Sequence, residues 1–260
     1  MKIWKYILGS IILLLSTFSL YTLFVQKKYG EITFAQIIDN KKFNATSFEA
    51  KKDRLPIIKI KDTVLLDAPT IKQFPELPRG CEVTSLAMLL QYKGINVGKM
   101  ELAEKIPKDT TPLIKEGSNI SWGHPNDGFI GDMYSYNNPG YGVYHLPIKK
   151  LAEEYMPGKV VDLTGSEFNE LKTYLSLGSP VWVITNATYN SLPDSAFETW
   201  QTPRGDVNIT YRLHSVLITG YDDKYVYFND PLNGGKNKRV STDNFIAAWE
   251  QLGRQAVTYY

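Results

Sequence analysis

The first apolar segment of the chain is an uncharged run from Tyr6 to Val25, with Lys2 and Lys5 before it and Lys27 and Lys28 after it. Twenty residues at a helical rise of about 1.5 Å span roughly 30 Å, the hydrocarbon thickness of a bilayer. The pattern predicts a transmembrane anchor over 6–25, a cytoplasmic tail over 1–5 and an extracytoplasmic remainder. The competing reading is a cleaved secretory signal, whose apolar region is usually shorter and ends in a small-x-small site. Ser16, Thr17 and Ser19 offer only an incomplete version of that site. Residues 26–56 are polar and lysine-rich apart from one apolar patch at 34–38, and read as a stalk.

From residue 57 the pattern changes to that of a folded domain, 57–260. Ile57–Lys61 and Val64–Leu66 have the β-branched content of strands. A helix starts at Cys81, with apolar residues recurring at 83, 86, 87 and 90 and a stop at Gly94. Met100–Ile106 is a short helix that Pro107 ends. Asp109–His145 is a long connection dense in Gly, Pro, Asn, Ser and aromatics, and connections of that length are often functional. Helices follow at Ile148–Tyr155 and Ser166–Leu177, then a strand, Pro180–Thr185, apolar enough to be buried on both faces. After a second connection, Asn186–Arg212, the strands Leu213–Tyr221 and Tyr225–Asn229 are joined by the turn Asp222-Asp223-Lys224. A helix at Phe245–Leu252 and a strand at Gln255–Tyr260 close the chain. Helices come first and antiparallel strands dominate the second half, so the class is α+β.

Composition narrows the function. A formal charge of +2 over 260 residues, with Lys and Arg scattered, gives no basic face for nucleic acid. A single cysteine excludes an internal disulfide framework, and no Cys or His pair has zinc-ligand spacing, so neither metal nor cofactor is expected. Asp127, Asp132, Asp222 and Asp223 read as loop and turn formers, and the exported part reads as a monomer.

The lone cysteine is the candidate nucleophile. Pro75, Pro78 and Gly80 keep the segment before it extended, which sets Cys81 at the start of a helix, where unpaired N–H groups favour an anion. Of the three histidines, His124 and His145 fall in or at the end of the long connection. His214 lies near the start of an apolar strand. His214 is eight residues before Asp222 and Asp230 eight after it, so the hairpin brings an imidazole and a carboxylate to one end of a sheet, opposite or diagonal to each other. A carboxylate there would orient the ring and leave its other nitrogen for a thiol proton. Cys81 and His214 are 133 positions apart, within the ~130 to 150 of papain-type enzymes. Gln73, in the extended segment, is the candidate second donor, with the Cys81 N–H, to an oxyanion. Within the first long connection, Trp122, Asp127, Phe129 and Gly131 are candidate substrate-binding residues.

These motifs together resemble a known family. Gln73, Pro75-Glu76-Leu77-Pro78, Gly80-Cys81-Glu82-Val83-Thr84-Ser85-Leu86-Ala87-Met88, Gly128-Phe129-Ile130-Gly131, Gly140-Tyr141-Gly142-Val143-Tyr144, His214 to Tyr221 and Asn229-Asp230-Pro231 are similar to bacterial cysteine peptidase-like proteins. These are grouped with the double-glycine, bacteriocin-processing peptidases, family thirty-nine of the cysteine peptidases. The resemblance covers about 57–260 and implies a papain-like α+β fold with Cys81 as nucleophile, His214 as base, Asp230 as orienter and Gln73 as oxyanion donor. The double-glycine peptidases proper are usually cytoplasmic domains of ABC transporters. This chain carries no transporter domain, so its expected partner is instead a peptide or protein outside the cytoplasm. The same chemistry with an amine acceptor would make an acyl transferase, and loss of turnover would leave a peptide- or glycan-binding module.

Overall fold

The computed structural model describes residues 59–260. The predicted tail, anchor and stalk lie outside the described residues. Among the described residues no helix is long and apolar enough to cross a membrane.

The described residues form one compact unit. Its frame is a seven-stranded antiparallel sheet in the order β12-β11-β10-β7-β13-β6, with β1 paired to the far end of β10. The strands are β1 (Val64–Leu65), β6 (Val160–Asp162), β7 (Val181–Asn186), β10 (Leu213–Tyr221), β11 (Tyr225–Asp230), β12 (Gly235–Ser241) and β13 (Ala256–Tyr259). Strand β7 is buried along its whole length. Alternate residues serve opposite faces, as the pleat requires. Trp182 and Ile184 pack with α1 (Cys81–Tyr92), α2 (Lys99–Lys105) and α3 (His145–Tyr155). Val181 and Val183 pack with α4 (Phe168–Ser176) and α5 (Thr242–Gln251). The α+β class and the antiparallel sheet follow the sequence pattern.

Several elements differ from expectation. Lys59–Lys61 is not a strand. It is tied down instead by Lys61 N donating to Ser176 Oγ and by the Tyr221 hydroxyl donating to the Lys61 carbonyl. Helix α3 starts three residues early because Pro147 falls in its first turn, where a missing N–H costs nothing. Strand β12, Gly-Lys-Asn-Lys-Arg-Val-Ser, carries little apolar signal because it is the exposed edge, and lysines are the usual guard of such an edge. The two long connections hold small sheets: β2 (Lys108–Asp109) with β5 (Phe129–Ile130), β3 (Ile114–Glu116) with β4 (Asn119–Ser121), and β8 (Glu198–Trp200) with β9 (Val207–Ile209). Trp122 and Trp200 meet at a tilt with centroids 5.2 Å apart, and Tyr141 meets Trp200 edge-on at 5.0 Å. Both connections thus share one aromatic core, with Ile130 and Ile209 in it.

Candidate active site

Helix α1 begins at Cys81. Gly80 precedes it without a side-chain cap, and a Cβ there would sit 2.5 Å from Leu77 Cβ, so only glycine lets the extended segment fold down onto the helix start. That segment is anchored to the opposite end of the site: Gln73 N donates to the Pro231 carbonyl at 2.8 Å, and Asn229 Nδ2 donates to the carbonyls of Ala68 and Pro69. The backbone flanking Asp230 therefore fixes where Gln73 lies.

Cys81, His214 and Gln73 line one cavity of about 160 Å³, walled by Pro78, Arg79, Tyr136, Tyr141, Tyr211 and Leu232 among others. A wider depression of about 530 Å³ shares Arg79, Tyr136, Gly140 and Tyr211 with it and adds Trp122 and Lys115. Arg79 holds the wall in place, donating to the carbonyls of Asp132 (3.1 Å) and Ser135 while its guanidinium lies 4.7 Å from the Tyr136 ring centroid.

His214 Nε2 meets Asp230 Oδ1 at 2.8 Å. With Nε2 protonated toward the carboxylate, Nδ1 is the nitrogen left to take a proton. The contact is diagonal. The register pairs Leu217 with Asn229 and shifts between Ile218 and Gly220, so His214 lies two residues beyond the position facing Asp230. Asp230 is fully buried and accepts three further donors: the Tyr189 hydroxyl at 2.7 Å, Lys238 Nζ at 2.6 Å and Leu232 N at 2.9 Å. Burial pushes its acidity down, but the hydrogen bond and charge of His214, with Lys238 and Tyr189, outweigh it and hold the carboxyl well below the usual carboxylate range. Tyr189 reaches this position from left-handed backbone, φ 54°, a conformation costly for a bulky residue.

The thiol is not pre-ionised. Burial, and then the charge of Glu82, push the Cys81 thiol well up, against the backbone hydrogen bonds of Ser215 and of Cys81 itself. Attack therefore requires a base, and His214 is the only one of the three histidines that lines this cavity. His145 instead pairs with Asp162 at 2.9 Å, and His124 Nδ1 accepts from Asn126 N. Gln73 Nε2 donates to the Pro78 carbonyl at 2.7 Å, which leaves its second amide hydrogen available, while its buried Oε1 has no partner.

The candidate substrate residues are dispersed. Trp122 borders the wider depression. Phe129 is buried in the main core, and Asp127 makes an exposed ion pair with Arg204 at 2.7 Å. Gly131 has φ +74° and backbone within 3 Å of a would-be Cβ, so its role is to let the chain cross itself at Gly140. Sequence reasoning did not single out Tyr189, Lys238 or Glu82. Lys238 lies eight residues past Asp230 on an unrecognised edge strand, and Glu82 was visible only as the neighbour of Cys81.

Residues 65–257 match the model of the Peptidase_C39 like family. The uncharacterised protein YvpB of Bacillus subtilis (strain 168) is 51% identical over 183 residues, covering 70% of each chain. A crystal structure from Bacillus anthracis, described provisionally as a C39-like peptidase, is 46% identical with a TM-score of 0.71, covering 77% of this chain and 98% of the other. A double-glycine-motif protease from an AMS/PCAT transporter, in complex with its leader peptide, is 18% identical with a TM-score of 0.38, too distant to bear on the site.

Proposed function

The chain belongs to the Peptidase_C39 like family, and from that premise we propose that it is a cysteine peptidase cleaving a peptide or isopeptide bond, with Cys81 as nucleophile. The observation that carries the reading is the shared cavity of Cys81, His214 and Gln73, with the His214 ring tied through Nε2 to Asp230.

In this mechanism the Cys81 thiol passes its proton to His214 Nδ1 as the sulfur attacks the substrate carbonyl. The oxyanion meets the Cys81 N–H, at the open end of α1, and the free amide hydrogen of Gln73. His214 returns the proton to the departing amine and leaves a thioester. Water, deprotonated by the same nitrogen, then releases the acyl group. Asp230 holds the ring's tautomer and balances the imidazolium. The small cavity beside the sulfur suits a small side chain next to the scissile bond, and the aromatic depression offers room for the rest of an extended peptide. The anchor expected at 6–25 would set this domain outside the cytoplasmic membrane, facing cell-envelope peptides or proteins.

The test is to replace Cys81 by Ala in the native host and compare envelope peptides. Accumulation of a defined set, cleaved by added wild-type protein but not by Cys81→Ala or His214→Ala, is the expected result. Identical peptide profiles, with no cleavage of any envelope peptide by the wild-type protein, would overturn it.

A further inference from the structure

One buried acid touches the reacting sulfur and has no part in the mechanism above. Glu82 is 1% exposed, and its Oε2 lies 3.2 Å from Cys81 Sγ. Its other oxygen, Oε1, accepts the N–H of Val143 at 3.1 Å. A Cβ at residue 142 would fall 2.4 Å from that oxygen, so Gly142 leaves the space in which the carboxyl sits. The helix turn carrying Glu82 is pinned from the sheet side by Trp182 Nε1, which donates to the Glu82 carbonyl at 3.0 Å.

The titratable groups facing this carboxyl are Cys81 on its own helix and Tyr141 and Tyr144 on the loop packed against it. Burial raises both tyrosines, so they stay neutral. Among the described residues, no Lys, Arg or His is paired with Glu82. A carboxylate in such a place has only an amide and a thiol to stabilise it, and burial pushes its pKa up to about 7.

We propose that Glu82 is a further catalytic residue, whose protonated carboxyl donates its hydrogen to the Cys81 thiolate, so that ionising Glu82 switches the sulfur off. With Oε1 occupied by Val143 N–H, Oε2 is the oxygen that carries the proton, and it faces the sulfur. When the S–H bond breaks and its proton moves to His214 Nδ1, the Glu82 hydrogen stays on its own oxygen and stabilises the new anion. No proton is gained or lost overall. When Glu82 is ionised, the same step would set a thiolate against a carboxylate at contact distance, and the sulfur keeps its proton instead. This role deepens the peptidase reading and rests on it.

The experiment is the rate of iodoacetamide labelling of Cys81 in the full chain between pH 5.5 and 8.5, for wild type and Glu82→Gln. Glutamine keeps an acceptor for Val143 and an N–H for the sulfur but does not titrate. The expected result is rates within about threefold at pH 5.5, with the variant at least tenfold faster at pH 8.5. A ratio constant across the range overturns the proposal. Should the variant fail to fold, wild-type protein carrying ¹³C-labelled glutamate carboxyls gives a second readout. One carboxyl titrating near pH 7 supports the proposal, and none doing so overturns it. His214→Ala, labelled in parallel, separates the two readings: an unchanged rate there sinks the peptidase assignment, whereas a flat Glu82→Gln ratio alone removes only the role of Glu82.

Discussion

Asp230 accepts four donors without any contact with solvent, and this determines what it offers His214. Its carboxylate is shared with Lys238 and Tyr189 and so held in one orientation, which aims the ring as well as balancing its charge. Replacing Lys238 by Met removes one of the donors that hold Asp230 in place, and Cys81 labelling at pH 7 is expected to fall severalfold. Replacing Asp230 by Ala removes aim and charge together, and Cys81 labelling at pH 7 should fall by about tenfold or more. Glu82 permits a stability prediction with a definite sign. Its carboxyl ionises at 4.5 unfolded but at about 7 folded, so between those values the native state holds the extra proton and stability falls as pH rises. The loss is complete above about pH 7 and amounts to roughly 3 kcal/mol at most. Glu82→Gln should therefore melt several degrees above wild type at pH 8, and the advantage should shrink toward zero at pH 4.5.

At the scale of elements, α1 differs most from its expected form. The sequence shows a stripe at 83, 86, 87 and 90, but Thr84, Ser85, Met88 and Leu89 are also fully buried, because α2 and α3 cover the side away from the sheet. A helix enclosed on all sides cannot shift without moving its neighbours, which fixes the sulfur at its first residue. The contact of Gly80 with Leu77 controls where that helix starts. Gly80→Ala is expected to cost about 1–3 kcal/mol in denaturant unfolding and to slow Cys81 labelling, whereas Gly94→Ala, open in space but at φ +89°, should cost stability without touching labelling. The β10–β11 hairpin was the most legible part of the site. Counting outward from Asp222 brings His214 and Asp230 to one end of the sheet; the turn is centred later, between Asp223 and Lys224, and the irregularity near Thr219 takes back one residue, which leaves the pair diagonal rather than facing. What could not be read were contacts across the fold, such as Gln73 on Pro231 or Lys238 on Asp230, because no local periodicity encodes which loop meets which edge.

At the scale of the molecule, the sheet is the fixed platform: α1 on one face supplies the sulfur, and the ends of β10 and β11 supply the imidazole and the carboxylate. The α+β class was legible because helices come first after residue 57 and antiparallel strands dominate the second half. The small sheets in the two aromatic connections were not, since pairs of two or three residues leave no detectable period. Residues 59–260 hold their own core, so a chain beginning at residue 59 should unfold cooperatively and label at Cys81 at the full-length rate. The measurement that tests the account most directly is the second-order rate of Cys81 alkylation by iodoacetamide at pH 7 in wild type and in His214→Ala of unchanged circular dichroism. Because burial and Glu82 hold the thiol protonated, the account predicts a rate at least tenfold lower without the imidazole. Equal rates would mean that the sulfur and the ring do not act together, and would contradict it.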